Sequence, residues 1–163
     1  MGGMTENHAA ASEDNPGVIA LPPLLYAVTF FAVLVLRWLW PMPIMRLSVG
    51  LWFGVVLIVL GVGIAVWGRR VMHAAGTNVN PALPATTIVT WGPFRLCRNP
   101  LYGALTLIYS GLTLAFNTWW GIVLLVPLFV IMHFGVVLRE ERYLEQKFGE
   151  AYRQYRSKVR RYI

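Results

Sequence analysis

Charge is what this chain has least of. Of its 163 residues only 13% are charged, while 57% are hydrophobic. A water-soluble domain carries about twice that charged share, so most of this chain is expected to meet lipid rather than water. The mean hydropathy of +0.58 agrees. Cysteine is also nearly absent: the lone Cys97 excludes an internal disulfide and a multi-cysteine zinc site, and no metal is expected. Acids number only seven. Between Asp14 and Glu145 the only ones are Glu140 and Glu141. Residues 1–16 hold no Lys or Arg, so the basic start of a secretory signal is missing. That stretch reads as a disordered polar tail ahead of a single domain over 17–163.

Long apolar runs are what the chain does have. Val18–Trp40 ends in Arg37, Trp38 and Trp40, which suit a snorkelling cation and an interfacial aromatic belt. Leu47–Trp67 carries no charge over a length of about one hydrocarbon thickness. Leu101–Phe116 and Trp119–Leu138 follow, joined at Asn117-Thr118 as a tight helical hairpin. The fold class expected is all-α, a multi-pass membrane protein with about four spans. Residues 68–100, broken by several glycines and prolines, read as a re-entrant or interfacial loop of the length that usually serves function. Past Leu138, the residues Leu144, Phe148, Tyr152, Tyr155, Val159 and Ile163 form one apolar stripe on a basic helix with a break near Gly149. That is the pattern of an interfacial amphipathic helix over 139–163.

The net charge of +7 is distributed unevenly. Eight of the 14 basic residues lie in 139–163. With four spans these share one side with Arg69, Arg70, Arg95 and Arg98, against Arg37 and Arg46 elsewhere. The asymmetry predicts both termini in the cytoplasm, in the cell (inner) membrane. The same charge would suit nucleic acid, but basic loops on a hydrophobic chain are explained by membrane orientation, and no nucleic-acid partner is expected.

Three clusters could carry chemistry. Arg98-Asn99-Pro100-Leu101-Tyr102 marks a helix start, with Pro100 at its first turn and Asn99 as either a cap or a ligand. Glu140 and Glu141, flanked by Arg139 and Arg142, are either solvated ion pairs or carboxylates for a ligand ammonium or sulfonium. At α-helical spacing His133 shares a face with Glu141, and an ionisable group within a span invites a functional reading. Gly61 and Gly63 are either a packing surface or a place for close approach. Gly50 and Gly54 have the small-xxx-small spacing that also serves a homodimer. Cys97 has no histidine near it in sequence and no catalytic case.

The run AGTNVNPALPATTIVTWGPFRLCRNPLY, the apolar hairpin after it and REERYLEQKFGEAYRQYRSKVRRYI together resemble the isoprenylcysteine carboxyl methyltransferase and phospholipid (phosphatidylethanolamine) methyltransferase superfamily over about residues 74–163. The resemblance implies an intramembrane enzyme using S-adenosylmethionine, held between the last two spans and the C-terminal segment. The family's Arg-His-Pro-x-Tyr signature falls on Arg98, Asn99, Pro100 and Tyr102, with Asn in place of His. The glycine usual two residues after the Tyr is Ala104 here, with Gly103 one place early. The paired glutamates fall on Glu140 and Glu141, and a Gly-x-Gly element on Gly61 and Gly63. Arg98 or Arg139 suits the cofactor's carboxylate. Glu140, Glu141 and His133 are the candidates to take an acceptor's proton. The acceptor is expected to enter from the bilayer: a lipid amine, a prenylated cysteine carboxylate or a small hydrophobic thiol. Neutralising either glutamate is expected to weaken cofactor binding and leave the protein folded.

Two other readings compete. Sterol-type reductases share a similar signature and bind NADPH, but carry an acid where this chain has Leu105. A non-catalytic scaffold, dimerising through Gly50 and Gly54 and holding anionic lipid by its basic tail, explains the composition and not the ordered motif.

Overall fold

The computed structural model describes residues 14–162. Most of the expected N-terminal tail and Ile163, the last member of the apolar stripe, lie outside the described residues. Within them the regular structure is helical, with no strand. Helix α1 spans Pro22–Leu39, α2 Leu47–Ala74, α3 Pro100–Ala115 and α4 Trp119–Met132. A π-turn over His133–Val137 carries α4 into α5, Leu138–Phe148, and α6 is Glu150–Lys158. Three helices are long and apolar enough to cross a membrane: α1, α2 and the continuous rod Trp119–Phe148. α3 is shorter, about 24 Å at 1.5 Å per residue, and runs antiparallel along α2.

The α2–α3 seam follows from residue size. Gly50 faces the Leu114 carbonyl, Gly54 the Gly111 carbonyl and Ala115, Gly61 faces Ala104 and Ile108, and Gly68 faces Leu101. With no hydrophobic drive between helices in lipid, close approach of backbones supplies the packing, and only glycine permits it. The Gly50/Gly54 surface is therefore covered by α3 within the chain, in line with a packing surface and unlike the open dimer face that the scaffold reading requires. The opposite side of α2 presents Trp52, Phe53 and Val59, all exposed, to the surroundings. The core lies between α1, α3 and α4, where Tyr26, Val33, Tyr109, Leu128, Met132 and Val136 cluster.

The two connections at the far end are clamped together. Asn117, at positive φ, accepts from Ile44 N and Met45 N at 2.9 and 3.0 Å and donates to the Met45 carbonyl at 2.7 Å. Trp120 Nε1 donates to the Trp40 carbonyl at 2.8 Å.

Several boundaries depart from the sequence reading. α2 continues through Arg69, Arg70 and His73, so the long loop is 75–99. No glycine or proline interrupts that stretch before Gly76, and intact helix was the cheaper continuation. The last apolar helix likewise runs on to Phe148 and stops only at Gly149, whose φ of +52° favours glycine. The π-turn alters the side-chain register after His133, so the α-helical spacing assumed between His133 and Glu141 does not hold. Gly135 in that turn leaves room for Ile19, whose N–H donates to the Gly135 carbonyl at 3.2 Å.

Candidate active site

The loop 75–99, the head of α3, the α5 helix and the C-terminal segment converge at one end of the bundle. Glu141, only 6% exposed, is the centre of the polar part. Arg161 donates to it through Nε and Nη2, both at 2.8 Å, and Arg98 Nη2 lies 3.2 Å away on the other side. Two cations face one carboxylate, so the group keeps an excess positive charge. The Arg98 side chain is 8% exposed, and among the described residues its Nε and Nη1 are buried without a well-formed hydrogen bond, with the Tyr152 hydroxyl close by. Such orphaned donors cost stability unless a ligand meets them.

The C-terminal segment is latched onto this group. Arg98 N donates to the Arg160 carbonyl at 2.9 Å, Asn99 Nδ2 to the Arg161 carbonyl at 3.3 Å, and Tyr162 Oη pairs with His133 Nδ1 at 2.9 Å. The Asn99 side chain therefore does not cap α3, which has Pro100 at its first turn and no side-chain cap. It ties the segment down instead.

Glu140 has a different partner. Its Oε2 accepts from Tyr102 Oη at 2.6 Å, the short length of a charge-assisted bond.

These residues separate two spaces. A polar cleft of about 90 Å³ is lined by Arg98, Asn99, Glu140, Glu141, Tyr152 and the loop around Thr77. Burial is the main cause holding the Tyr152 phenol up at about 12, so it faces the cleft as a neutral donor. An apolar cavity of about 350 Å³ lies on the other side, lined by Tyr26, Trp67, Cys97, Tyr102, Met132 and Tyr162 among others. Asn99 lines both, and the Tyr102–Glu140 bond reaches from the cavity into the cleft.

A cover closes the polar side. The 76–90 loop is held by Thr86 Oγ1 donating to the Gly76 carbonyl at 2.7 Å and by Ala85 N donating to Tyr143 Oη at 3.1 Å. Tyr143 Oη in turn donates to Asp14 at 2.7 Å, and Lys147 binds the same carboxylate. The Lys147 hydrogen bond holds Asp14 below the usual carboxylate range. Pro16, next to this staple, lines the cleft.

Of the residues singled out in the sequence, Arg98, Asn99, Glu140 and Glu141 come together at the cleft, and Pro100, Tyr102 and Gly103 line the cavity. Arg139 lies elsewhere, exposed and donating to the Gly17 carbonyl at 2.8 Å. Gly61 sits in the α2–α3 seam, Gly63 has open space around it, and neither lines the cleft or the cavity. His133 also lines neither and reaches the site through Tyr162. Sequence reasoning missed Arg161, Tyr162 and Tyr143. The first had a signal: a buried carboxylate demands more than one partner, and the Arg160-Arg161 pair was at hand.

An apolar helical bundle opening at one end onto a polar cleft beside a lipophilic cavity is the architecture of an integral membrane protein with room for a ligand. The family model for phospholipid methyltransferases matches residues 49–151, and the chain belongs to that family, part of the isoprenylcysteine and phospholipid methyltransferase superfamily. The match covers the Arg98–Tyr102 motif and both glutamates but stops short of Arg161 and Tyr162. The chain is also 41% identical over 66 residues to an uncharacterized protein of Haemophilus influenzae, a stretch that is 39% of this chain and all of that protein.

Proposed function

We propose that the protein transfers the methyl group of S-adenosylmethionine to a lipophilic acceptor that enters the apolar cavity from the bilayer. The observation that carries this reading is the pairing of a polar cleft and an apolar cavity, sharing Asn99 and bridged by Tyr102–Glu140. The donor set fits the cofactor. Arg98 offers the cofactor's carboxylate two buried N–H groups that lack a well-formed hydrogen bond, and Glu140 keeps an oxygen for its cationic centre. Glu141 is occupied by Arg98 and Arg161 and serves to hold Arg98 in place. A cleft of about 90 Å³ is far below the 300–1,000 Å³ usual for a ligand site, so this reading requires the 76–90 loop to move outward to admit the cofactor.

When bound, the cofactor supplies an already activated methyl group, and the protein's task is to align the partners and exclude water. Asn99 and Tyr102 fix the acceptor side, and Glu140 sets the opposite side.

Glu140→Gln is expected to lower affinity for S-adenosylmethionine at least tenfold, the equivalent of about 1.5–3 kcal/mol for a charge-assisted contact, with an unchanged melting temperature. Calorimetry on the purified chain reads the first quantity, and unchanged affinity would remove Glu140 from the cofactor site. Mass spectrometry of membrane extracts after incubation with labelled S-adenosylmethionine identifies the acceptor.

His133 acts through Tyr162 and is a positioning residue in this reading. His133→Asn should cost about 0.6 kcal/mol, as for a typical hydrogen bond between membrane helices. Turnover should fall by less than about tenfold, because no proton passes through it. A loss of about 10²-fold at constant stability would make His133 a proton acceptor.

The polar cleft faces the cytoplasm in this proposal, on the side that the basic residues mark. A reporter fused after Ile163 should be active only in the cytoplasm, and activity only outside would reverse the orientation.

A further inference from the structure

We propose that the acceptor is a lipophilic thiol and that Tyr102 relays its proton to Glu140. This rests on the methyl-transfer reading above and deepens it.

The lining of the apolar cavity argues against a charged head. Among the described residues that line it there is no Asp, Glu, Lys or Arg. Arg98 and Arg161 lie on the cleft side and are engaged with Glu141. A phosphate or carboxylate drawn into the cavity would lose its water and find no cation, at a prohibitive cost. Burial also pushes the Cys97 thiol up, so that group adds no charge.

Several polar atoms of the lining residues are paired with one another or with neighbours, while Asn99 Oδ1 and Trp67 Nε1 make no hydrogen bond among the described residues. Tyr26 Oη and Thr106 Oγ1 are 2.7 Å apart, Thr106 Oγ1 donates to the Tyr102 carbonyl at 2.9 Å, and Tyr162 Oη holds His133. An amine or alcohol gives up more water on entering than these few open polar atoms replace. A thiol is a weak donor and a weak acceptor and loses little on entering.

Tyr102 is the lining group bonded to a carboxylate. Its hydroxyl donates to Glu140 and keeps acceptor capacity on the same oxygen, open to the S–H of a bound thiol. Burial in an apolar cavity raises a thiol above the value of about 8.5 for free cysteine, so its proton must leave together with the methyl transfer and not before it. In the step, the thiol proton passes to Tyr102 Oη as the phenol proton passes to Glu140 Oε2. A sulfur lone pair forms the new bond to the methyl carbon. The bond between that methyl and the donor sulfonium breaks, and its electron pair stays on the donor sulfur, leaving a neutral thioether. Glu140 ends protonated and releases its proton to water through the polar cleft.

The test uses the full chain in phosphatidylcholine nanodiscs with methyl-labelled S-adenosylmethionine and three acceptors that share one alkyl chain: dodecanethiol, dodecylamine and dodecanoic acid. Dodecanethiol should be methylated with kcat/KM at least about tenfold above the other two. Tyr102→Phe should lower kcat for the thiol about 10²-fold or more, while the melting temperature holds and calorimetric affinities for S-adenosylmethionine and for dodecanethiol fall by less than about tenfold. If Tyr102→Phe lowers those affinities about tenfold or more and the melting temperature along with turnover, its role is structural and the relay is overturned. Faster methylation of the amine or the acid overturns the thiol assignment on the wild-type protein alone. So does a protein that binds S-adenosylmethionine but leaves the thiol unmodified. A wild-type protein that does not bind S-adenosylmethionine overturns the methyl-transfer reading itself, and the inference with it.

Discussion

Replacing Glu141 by alanine should lower stability by about 3–5 kcal/mol, enough to unfold much of the population, because it leaves buried arginine charge uncompensated. Arg98 is 8% exposed and among the described residues forms an ion pair with no other carboxylate, and Arg161 loses both of its hydrogen bonds to Glu141. Thermal unfolding of the purified protein in detergent measures the loss. A second variant separates the ion cluster from the fold as such. Glu141→Leu combined with Arg98→Met and Arg161→Met removes all three charges together, and exchanging a buried ion triad for apolar groups is often neutral or stabilising. That triple variant should recover most of the stability and still bind no cofactor. An alanine variant as stable as the parent, defective only in binding, would show that Glu141 is a ligand and not a structural anion. This outcome separates two adjacent glutamates that the sequence treats alike: Glu140 is expected to tolerate neutralisation and Glu141 is not.

The second large effect belongs to the α2–α3 seam. Gly54→Ala places a methyl 2.6 Å from the Gly111 carbonyl oxygen and 2.9 Å from the Ala115 backbone nitrogen. Both obstacles are backbone, so the helices must separate, at the cost of about 1–3 kcal/mol typical of overpacking. Gly63→Ala, on the same helix with nothing within 4 Å, is the control. It should be neutral or gain up to about 1 kcal/mol from helix propensity. Equal effects of the two changes would mean that the seam is not what holds α3 in place.

Much of this was legible in the sequence, for physical reasons that can be named. The apolar runs and their breaks reported the helices, because lipid demands uninterrupted apolar segments of a set length. Pro100 fixed the start of α3, and Gly149 the break between α5 and α6. Arg98, Asn99, Tyr102 and the glutamates could be singled out because ionisable and hydrogen-bonding groups are scarce in such a chain. What escaped was whatever depends on tertiary pairing. Glu140 and Glu141 are neighbours in sequence, yet one bonds a phenol and the other two guanidinium groups, and no local pattern separates them. The π-turn gives no periodic signal and upset the spacing argument that joined His133 to Glu141. Arg139 looked as suitable as Arg98, but the helix turns it outward to the Gly17 carbonyl.

The latch formed by Arg160, Arg161 and Tyr162 also fixes the order in which the molecule can become competent. These residues leave the ribosome after all four apolar helices have become available for insertion into the bilayer. Until they arrive, Glu141 has half its cations and Asn99 and His133 lack their partners. Insertion can therefore proceed on segments that do not yet bind anything, and the pocket is completed in a single late docking step from the aqueous side. A nascent chain stalled before Arg160 should already resist extraction from the membrane and still be unable to hold a ligand.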